Sequence, residues 1–199
     1  MSALRKGSTI LLLVLSLSGC FGGGDSAETP APDGYTFFEN EEFQIALPTE
    51  WEILDPGMLS SSVEPTTVLV ARSNLRDPIF TANIVILKNP LDPSPEGQAQ
   101  ISARDYAGAL RSKLKDTLSN YRELTAEEVT VPVGDTQVPT LFTQVEGRPA
   151  SETDIKNYTH LSVVVGDYAY IVVGAARADA PVEGTLDKIQ SAVRSLKIN

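Results

Sequence analysis

Apolar and polar residues alternate with a period of two over much of the chain, which predicts β-strands. The first two such runs flank the polar stretch Glu39–Glu42 and predict a hairpin, whose second strand ends at Pro48. Two further runs are rich in β-branched residues and are typical of interior strands. The runs predicted as strands before the first helix are 35–38, 43–47, 51–54, 67–71 and 82–87.

Two hairpins are predicted in the second half of the chain. Gly134-Asp135 joins the runs 128–133 and 136–145, and Gly166-Asp167 joins 158–165 and 168–176. Both pairs suit two-residue hairpin turns. Both faces of the second hairpin carry apolar residues, so we expect the sheet to be covered on both sides there. The predicted faces are Leu161, Val163, Tyr170 and Val172 on one side, and Val164, Ala169, Ile171 and Val173 on the other.

Apolar residues recur about every fourth position from Tyr106 to Tyr121, which predicts a helix of about five turns. Ser102 and Asp105 have the spacing of a capping box, and Ile101 with Tyr106 that of a hydrophobic staple. The stripe consists of Tyr106, Leu110, Leu114, Leu118 and Tyr121.

A second, closing helix is predicted with Thr185 as its N-cap and Asp187 in its first turn. Its apolar face comprises Leu186, Ile189, Val193 and Leu196. Antiparallel hairpins with one long and one closing helix indicate a single α+β domain over residues 35–199.

The leader has a positive end at Arg5 and Lys6 followed by the apolar stretch 10–17. This stretch is about half the length that a membrane-spanning helix needs, so it indicates a signal peptide over residues 1–19. Leu17-Ser18-Gly19-Cys20 resembles the bacterial lipobox. The resemblance implies cleavage between Gly19 and Cys20 and attachment of lipid, including palmitate-type acyl chains, to Cys20.

Cys20 is the only cysteine of the chain, so the exported part cannot form an internal disulfide. An ordinary secretory leader with a stray cysteine is the alternative. Residues 20–34 are poor in apolar side chains and predict a flexible tether between the lipid and the domain. We therefore expect an extracytoplasmic protein held on a bacterial membrane, either the inner or the outer one.

Charge narrows the classes of partner. Cleavage removes Arg5 and Lys6 and no acidic residue, so the formal net charge changes from −10 to −12. Nucleic-acid binding relies on basic side chains that neutralise phosphates, and adhesion to an anionic leaflet has the same requirement. We expect no nucleic-acid partner, and membrane attachment through lipid rather than charge.

The domain resembles the PsbP/DcrB-like superfamily in several positions. They are the pattern Phe43-x-Ile45-x-x-Pro48-x-x-Trp51, the Gly-Asp hairpins, Asp167-Tyr168-Ala169-Tyr170, and Ser195-Leu196-Lys197 at the end of the last helix. The resemblance implies a mainly antiparallel sheet flanked by helices on both faces. It also implies a protein that is not an enzyme, and no binding site of the photosynthetic members matches residue for residue.

Residues for catalysis or cofactor binding are scarce. His160 is the only histidine and lies in a predicted strand beside Tyr158 and Ser162, where a hydrogen-bonded structural imidazole is favoured over a catalytic base or ligand. With one His and one Cys, no pair of His or Cys at metal-ligand spacing exists, and a zinc site would have to rest on His160 with carboxylates. No glycine-rich phosphate loop or nucleophile elbow is present in the sequence. We expect no cofactor and no metal.

Two charged clusters remain as candidate surfaces. Arg104, Arg111 and Lys115 fall near one side of the long helix and form a possible interaction face for an acidic partner or lipid headgroups. Glu39, Glu41 and Glu42 lie at the tip of the first hairpin, where they offer a site for a cation. A solvated surface is the simpler interpretation of both.

These features lead to three functional hypotheses. The first is a non-enzymatic lipoprotein that contacts an envelope or membrane protein as an accessory or assembly domain. The second is a module that binds a small ligand in a cleft between the sheet and the long helix. The third, a hydrolase with an unusual site, would need a Ser or Asp within hydrogen-bond reach of His160.

Overall fold

Ten strands form one sheet in the computed structural model, which describes residues 30–59, 64–77, 79–93, 100–179 and 181–199. The strands are β1 Tyr35–Glu39, β2 Phe43–Pro48, β3 Glu52–Leu54, β4 Thr67–Arg72, β5 Asn83–Pro90, β6 Leu118–Val133, β7 Thr136–Pro149, β8 Lys156–Val165, β9 Tyr168–Arg177 and β10 Lys197–Ile198. The helices are α1 Ala103–Thr117 and α2 Thr185–Arg194, with a 3₁₀ turn at Pro56–Met58.

The strand order across the sheet is β1-β2-β10-β6-β7-β8-β9-β5-β4-β3. Every neighbouring pair is antiparallel except β10 and β6, which run parallel. The predicted mainly antiparallel sheet is therefore confirmed. None of the helices in the described part of the chain has the length and apolar character needed to cross a membrane.

All three predicted hairpins are present. Gly134 and Gly166 adopt φ angles of 52° and 56° in their turns, a region that glycine enters without steric cost. In the first hairpin the Asn40 side chain accepts hydrogen bonds from the backbone N–H groups of Glu42 and Phe43 at 2.9 and 2.8 Å. The turn chemistry in the sequence thus identified each hairpin correctly.

The long helix is shorter than its apolar stripe predicts. Ser102 caps it by accepting from the Asp105 N–H at 3.1 Å, and its hydroxyl also donates to the Asp105 carboxylate at 2.6 Å. Leu118 already has extended dihedrals, φ −93° and ψ 124°, so α1 ends at Thr117. Leu118 and Tyr121 belong to β6 instead. The prediction of a five-turn helix through Tyr121 was wrong, because the strand continues the apolar spacing of the helix by chance.

The closing helix begins at Thr185, but its cap differs from the prediction. The N-cap is Gly184 with φ 73°, and no side chain caps the helix. Thr185 is the first helical residue and is buried. Asp187 lies in the first turn as predicted, and Ile189 and Val193 pack into the core.

The faces predicted for the second hairpin are confirmed by its register. Leu161 pairs with Val172 and Val163 with Tyr170, and all four residues are buried. On strand β9, Gly174 lies directly beneath Ile189 of α2, where a Cβ atom would clash with the isoleucine Cγ2. Glycine at this position therefore permits α2 to approach the sheet. The arrangement of helices on both faces of the sheet stays a prediction.

The predicted leader, residues 1–19, and the lipid site at Cys20 lie outside the described residues, as does most of the predicted tether.

Candidate functional site

An open groove lies between helix α1 and the first part of strand β6. It has a volume of about 430 Å³, within the size range of ligand sites in proteins. Positions separated by three or four residues share one side of a helix, which brings the α1 residues together. The groove is lined by Gly108, Arg111, Ser112 and Lys115 of α1 and by Tyr121 and Glu123 of β6. We call it the α1–β6 groove.

Arg111, Glu123 and Tyr121 form a hydrogen-bonded cluster in the groove. Arg111 donates through Nε to Glu123 Oε2 at 2.5 Å and through Nη2 to Oε1 at 2.6 Å. The Tyr121 hydroxyl donates to Glu123 Oε2 at 3.2 Å. The hydrogen bond from Arg111 lowers the pKa of the Glu123 carboxyl, while burial and then Glu123 raise the pKa of Tyr121. The cluster therefore holds an ionised carboxylate and a protonated phenol.

The backbone of β6 is irregular where it forms this wall of the groove. Asn120 has φ 56°, the left-handed region that asparagine tolerates better than most residues. The pairing with β7 shifts register between Ser119 and Arg122 and again between Glu123 and Thr125. Bulges redirect side chains at a sheet. Tyr121 lies within the first of these irregularities and Glu123 borders the second, and both residues reach the groove.

Gly108 keeps the helical wall of the groove open. Glycine inside a helix costs about 1 kcal/mol relative to alanine, so its presence calls for a reason. A Cβ atom at Gly108 would meet no atom within 4 Å, so close packing is not that reason. The missing side chain instead leaves free space in the groove.

The structure places the three predicted cationic residues on one side of α1 but neutralises two of them. Arg104 forms an ion pair with Glu128, outside the groove, and Arg111 pairs with Glu123 inside it. Lys115 lines the groove and contributes to the lowered pKa of Glu123, yet it has no ion pair or hydrogen bond to any residue that the structure describes. Sequence reasoning missed the β6 carboxylates, because the pairing of helix and strand is a long-range contact.

His160 lies beneath α1 and does not line the groove, although Arg111 borders both the groove and the cavity around His160. The residue is 7% exposed, and neither ring nitrogen has a hydrogen-bond partner among the described residues. Burial lowers the pKa of His160 to about 4. The prediction that His160 lies within a strand is confirmed, but the predicted hydrogen bond to its ring is absent from the described residues.

The cavity around His160 is small, about 10 Å³. Ser162 shares it, and the Ser162 hydroxyl also lacks a hydrogen-bond partner among the described residues. Serine and histidine are thus close without the hydrogen bond that activates a nucleophile. The cavity is lined by Ala107, Leu110, Arg111 and Leu114 of α1, Leu141 and Thr143 of β7, and His160 and Ser162 of β8.

At the acidic hairpin tip, the protein supplies its own cation. The Lys88 ammonium forms an ion pair with Glu42, lies 4.5 Å from the centre of the Tyr168 ring, and has its pKa raised mainly by that hydrogen bond to Glu42. Glu39 accepts from the Gln44 side chain at 3.1 Å. Among the residues described, no cluster of three or more His, Cys, Asp or Glu side chains has the geometry to hold a metal ion.

A second concavity, of about 390 Å³, is mainly apolar. It lies over strands β4, β5 and β9 and is lined by Leu59, Glu64, Thr67, Val70, Asn83, Val85, Leu87 and Val173. Its chemistry differs from that of the α1–β6 groove, since four of the eight described side chains that line it are valine or leucine from the sheet itself.

No protein-family model matches the chain, and no curated protein sequence matches it. Solved structures do resemble it. Ran-binding protein Mog1p of Saccharomyces cerevisiae matches with a TM-score of 0.53 and 11% identity, over 81% of this chain and 94% of Mog1p. The PsbP protein of the cyanobacterium Synechocystis matches with a TM-score of 0.45 and 12% identity, over 89% of this chain and 98% of PsbP.

A protein from Bacteroides thetaiotaomicron matches with a TM-score of 0.41 and 11% identity. The match covers 79% of this chain but only 45% of that longer protein. The Mog1p comparison shows the fold, and a PsbP protein stands among the similar structures. At these identities the similarity concerns the fold alone.

Proposed function

We propose that the protein is a non-enzymatic accessory domain of the cell envelope that binds another envelope or membrane protein at the α1–β6 groove. The observation that carries the proposal is the combination of an open helix wall at Gly108 with a preformed polar cluster opposite it. A glycine that weakens the helix without easing any packing contact is best explained by a ligand that uses the space.

Two further observations support binding rather than catalysis. The imidazole of His160, the only histidine, is buried beneath α1 without a hydrogen-bond partner among the described residues. Mog1p, which shares the fold, is named for its binding to another protein, Ran. That partner belongs to Mog1p, and for this chain it supports only the idea that the fold can present a docking surface.

We also infer that α1 and α2 cover opposite faces of the central strands. Successive side chains of a strand point to opposite faces. Helix α1 packs against His160 and Ser162, whereas α2 packs against Gly174, which is paired with Thr159. Thr159 is adjacent to His160, so the two helices contact opposite sides of β8.

The proposed location depends on lipid at Cys20, with the protein on the outer side of a bacterial membrane. Intact-mass measurement of native protein should show loss of residues 1–19 and acylation of Cys20. A Cys20→Ser variant should be released from the membrane fraction. An intact leader or an unmodified thiol would exclude the lipoprotein assignment while leaving the groove untouched.

Site-specific photocrosslinking in intact cells tests the binding proposal. A photoreactive residue replaces Ser112 in the groove or, as a control, the exposed Asp135 in the β6–β7 turn. We expect Ser112 to capture one reproducible membrane or envelope protein that Asp135 does not. Capture from position 112 should be lost in the Gly108→Leu variant, whose side chain fills the groove. It should persist in Gly108→Ala, which adds only a Cβ atom.

Leucine and alanine both favour helix over glycine, so neither substitution should unfold the domain. Identical capture from Ser112 and Asp135, or capture that survives Gly108→Leu, would overturn the proposal.

The apolar concavity over β4, β5 and β9 favours a second candidate function, binding of a small apolar ligand. Val85 lies at its centre, paired with both Val70 and Val173. A fatty acid added to the protein should raise its melting temperature if this is correct, since ligands stabilise the state that they bind. Val85→Glu should abolish that shift, and Gly108→Leu should leave it unchanged.

A further inference from the structure

We propose that the α1–β6 groove receives a carboxylate-bearing acidic segment of the partner protein, with the Lys115 ammonium as its main anchor. This inference rests on the proposed function. It adds the chemical class of the ligand and the residue that recognises it.

The charges in the groove leave one cation unsatisfied. Arg111 and Glu123 neutralise each other, so Lys115 gives the lining a net charge of one positive unit by formal count. Lys115 is exposed and has no ion pair within the described ranges. The carboxylate that acts electrostatically with this ammonium within the described ranges is Glu123, and Arg111 already holds both of its oxygens.

Arg111 keeps donors available after binding Glu123. A guanidinium has five N–H groups, and the two hydrogen bonds to Glu123 use one from Nε and one from Nη2. Among the described residues, the other group that interacts with this guanidinium is the Tyr121 hydroxyl, so at least two of the remaining three N–H groups stay available to a ligand. A second carboxylate can therefore bind between Lys115 and Arg111, where the planar arrangement of the donors suits its two oxygens.

The rest of the lining favours a polar ligand. Ser112 offers a hydroxyl, and Tyr121 remains protonated because burial raises its pKa. Among the described residues, no aliphatic side chain lines the groove apart from the methylene stems of its charged residues. Hydrogen bonds and charge, rather than apolar burial, must supply recognition.

The acidic character of the whole protein does not oppose this ligand at short range. The formal net charge is −10, but charges separated by more than about 8 Å are largely screened at physiological ionic strength. A segment in the groove therefore interacts mainly with Lys115, Arg111 and Glu123. The same net charge disfavours nucleic acid and anionic membranes, which present extended negative surfaces.

Binding of a synthetic peptide of six glutamates with blocked ends tests the proposal, using the full-length protein in detergent micelles. The matched control peptide contains six glutamines. We expect Lys115→Gln to weaken binding of the glutamate peptide by about fivefold or more, and Lys115→Arg to retain most of it. A carbodiimide should join a peptide carboxylate to the Lys115 amine with loss of one water, which mass spectrometry can locate.

Two further measurements separate this inference from the proposed function. If Ser112 still captures its cellular partner in the Lys115→Gln and Lys115→Glu variants as in wild type, the acidic-segment inference is overturned while docking at the groove stands. If inorganic phosphate or anionic vesicles compete as strongly as the glutamate peptide, the inference is also overturned, because the groove then selects anions in general. Equal binding of the glutamine and glutamate peptides would also overturn the inference, because carboxylates would then not be needed for binding.

Discussion

Arg111 of helix α1 holds both carboxylate oxygens of Glu123 on strand β6, at 2.5 and 2.6 Å. This pair spans the α1–β6 groove from one wall to the other. Because it is bidentate and is joined by the Tyr121 hydroxyl, its geometry is better defined than that of an ordinary surface ion pair. The groove is thus formed before any ligand arrives.

Replacing Glu123 by glutamine should reduce the free energy of unfolding at pH 7 by up to about 1 kcal/mol. The pKa of Glu123 is lowered in the folded state, chiefly by the hydrogen bond from Arg111. Its stabilising contribution is therefore complete above the carboxyl pKa of the unfolded chain and is lost as pH falls through the lowered folded value. Denaturant unfolding of wild type and Glu123→Gln should differ at pH 7 and converge at the lowest accessible pH.

Glu128→Gln is the matched control for this experiment. Glu128 pairs with Arg104, and the two side chains are 62% and 58% exposed, against 29% for Glu123 and 43% for Arg111. More exposed ion pairs contribute less. Equal losses of stability in the two variants would show that the bidentate geometry at Glu123 gives no stabilisation beyond that of an exposed ion pair.

Among glycine-to-alanine substitutions at the described glycines, Gly174→Ala should reduce the free energy of unfolding the most. The new Cβ atom would clash with Ile189 Cγ2 and force α2 away from the sheet. Overpacking of this kind costs about 1–3 kcal/mol, occasionally more. Thermal or denaturant unfolding measures the loss, and Gly108→Ala, where a Cβ atom meets nothing within 4 Å, should instead stabilise by up to about 1 kcal/mol.

A double variant distinguishes the clash from other effects at Gly174. Ile189→Ala removes the obstructing Cγ2 but leaves a cavity, which alone costs about 2–5 kcal/mol. Combined with Gly174→Ala, it should lose less stability than the two single variants added together, because the alanine methyl occupies part of that cavity. Strictly additive losses would contradict the direct contact.

The sequence predicted several elements that short-range chemistry decides, although the N-cap of α2 is Gly184 rather than Thr185. The Gly134-Asp135 and Gly166-Asp167 turns and the Ser102 cap all depend on neighbouring residues, and all are found where they were expected. The end of α1 was predicted wrongly because Leu118 and Tyr121 continue the helical spacing in the sequence. In the structure these residues belong to strand β6, which has a left-handed residue at Asn120 and two bulges. The first half of β6 is largely exposed and carries little apolar alternation.

The candidate site was only partly visible in the sequence for the same physical reason. Arg111 and Lys115 share a helix side by spacing alone, and both line the groove. The carboxylate that neutralises Arg111 belongs to Glu123 on β6, a different element, so no helical spacing links the two residues. The role of Gly108 depends on empty space around it, which no sequence pattern reports. The sequence also placed His160 correctly in its strand. It could not show that the His160 ring has no hydrogen-bond partner among the described residues, because this depends on how α1 packs over the ring.

Wild-type protein should lose stability as the pH falls below 6.5 because of His160, and the His160→Leu variant should lack this loss. Burial lowers the pKa of His160 from 6.5 to about 4 in the folded state. Between these values the unfolded chain binds a proton that the folded protein does not, so stability is complete above pH 6.5 and falls as the pH drops toward 4. The loss amounts to about 3 kcal/mol by proton linkage.

Unfolding of wild type and His160→Leu from pH 7.5 to pH 4 isolates this effect, because the carboxylates titrate in both proteins and His160 is the only histidine. Leucine also removes two ring nitrogens that lack partners among the described residues, so its stability at pH 7 should equal or exceed that of His160→Gln, which keeps a buried polar group.

The single imidazole gives one C2–H signal in a proton NMR spectrum. It should titrate near pH 4 in the folded protein and near pH 6.5 in urea. A folded-state titration near 6.5 would mean that water reaches the ring, and that α1 does not seal the cavity over His160.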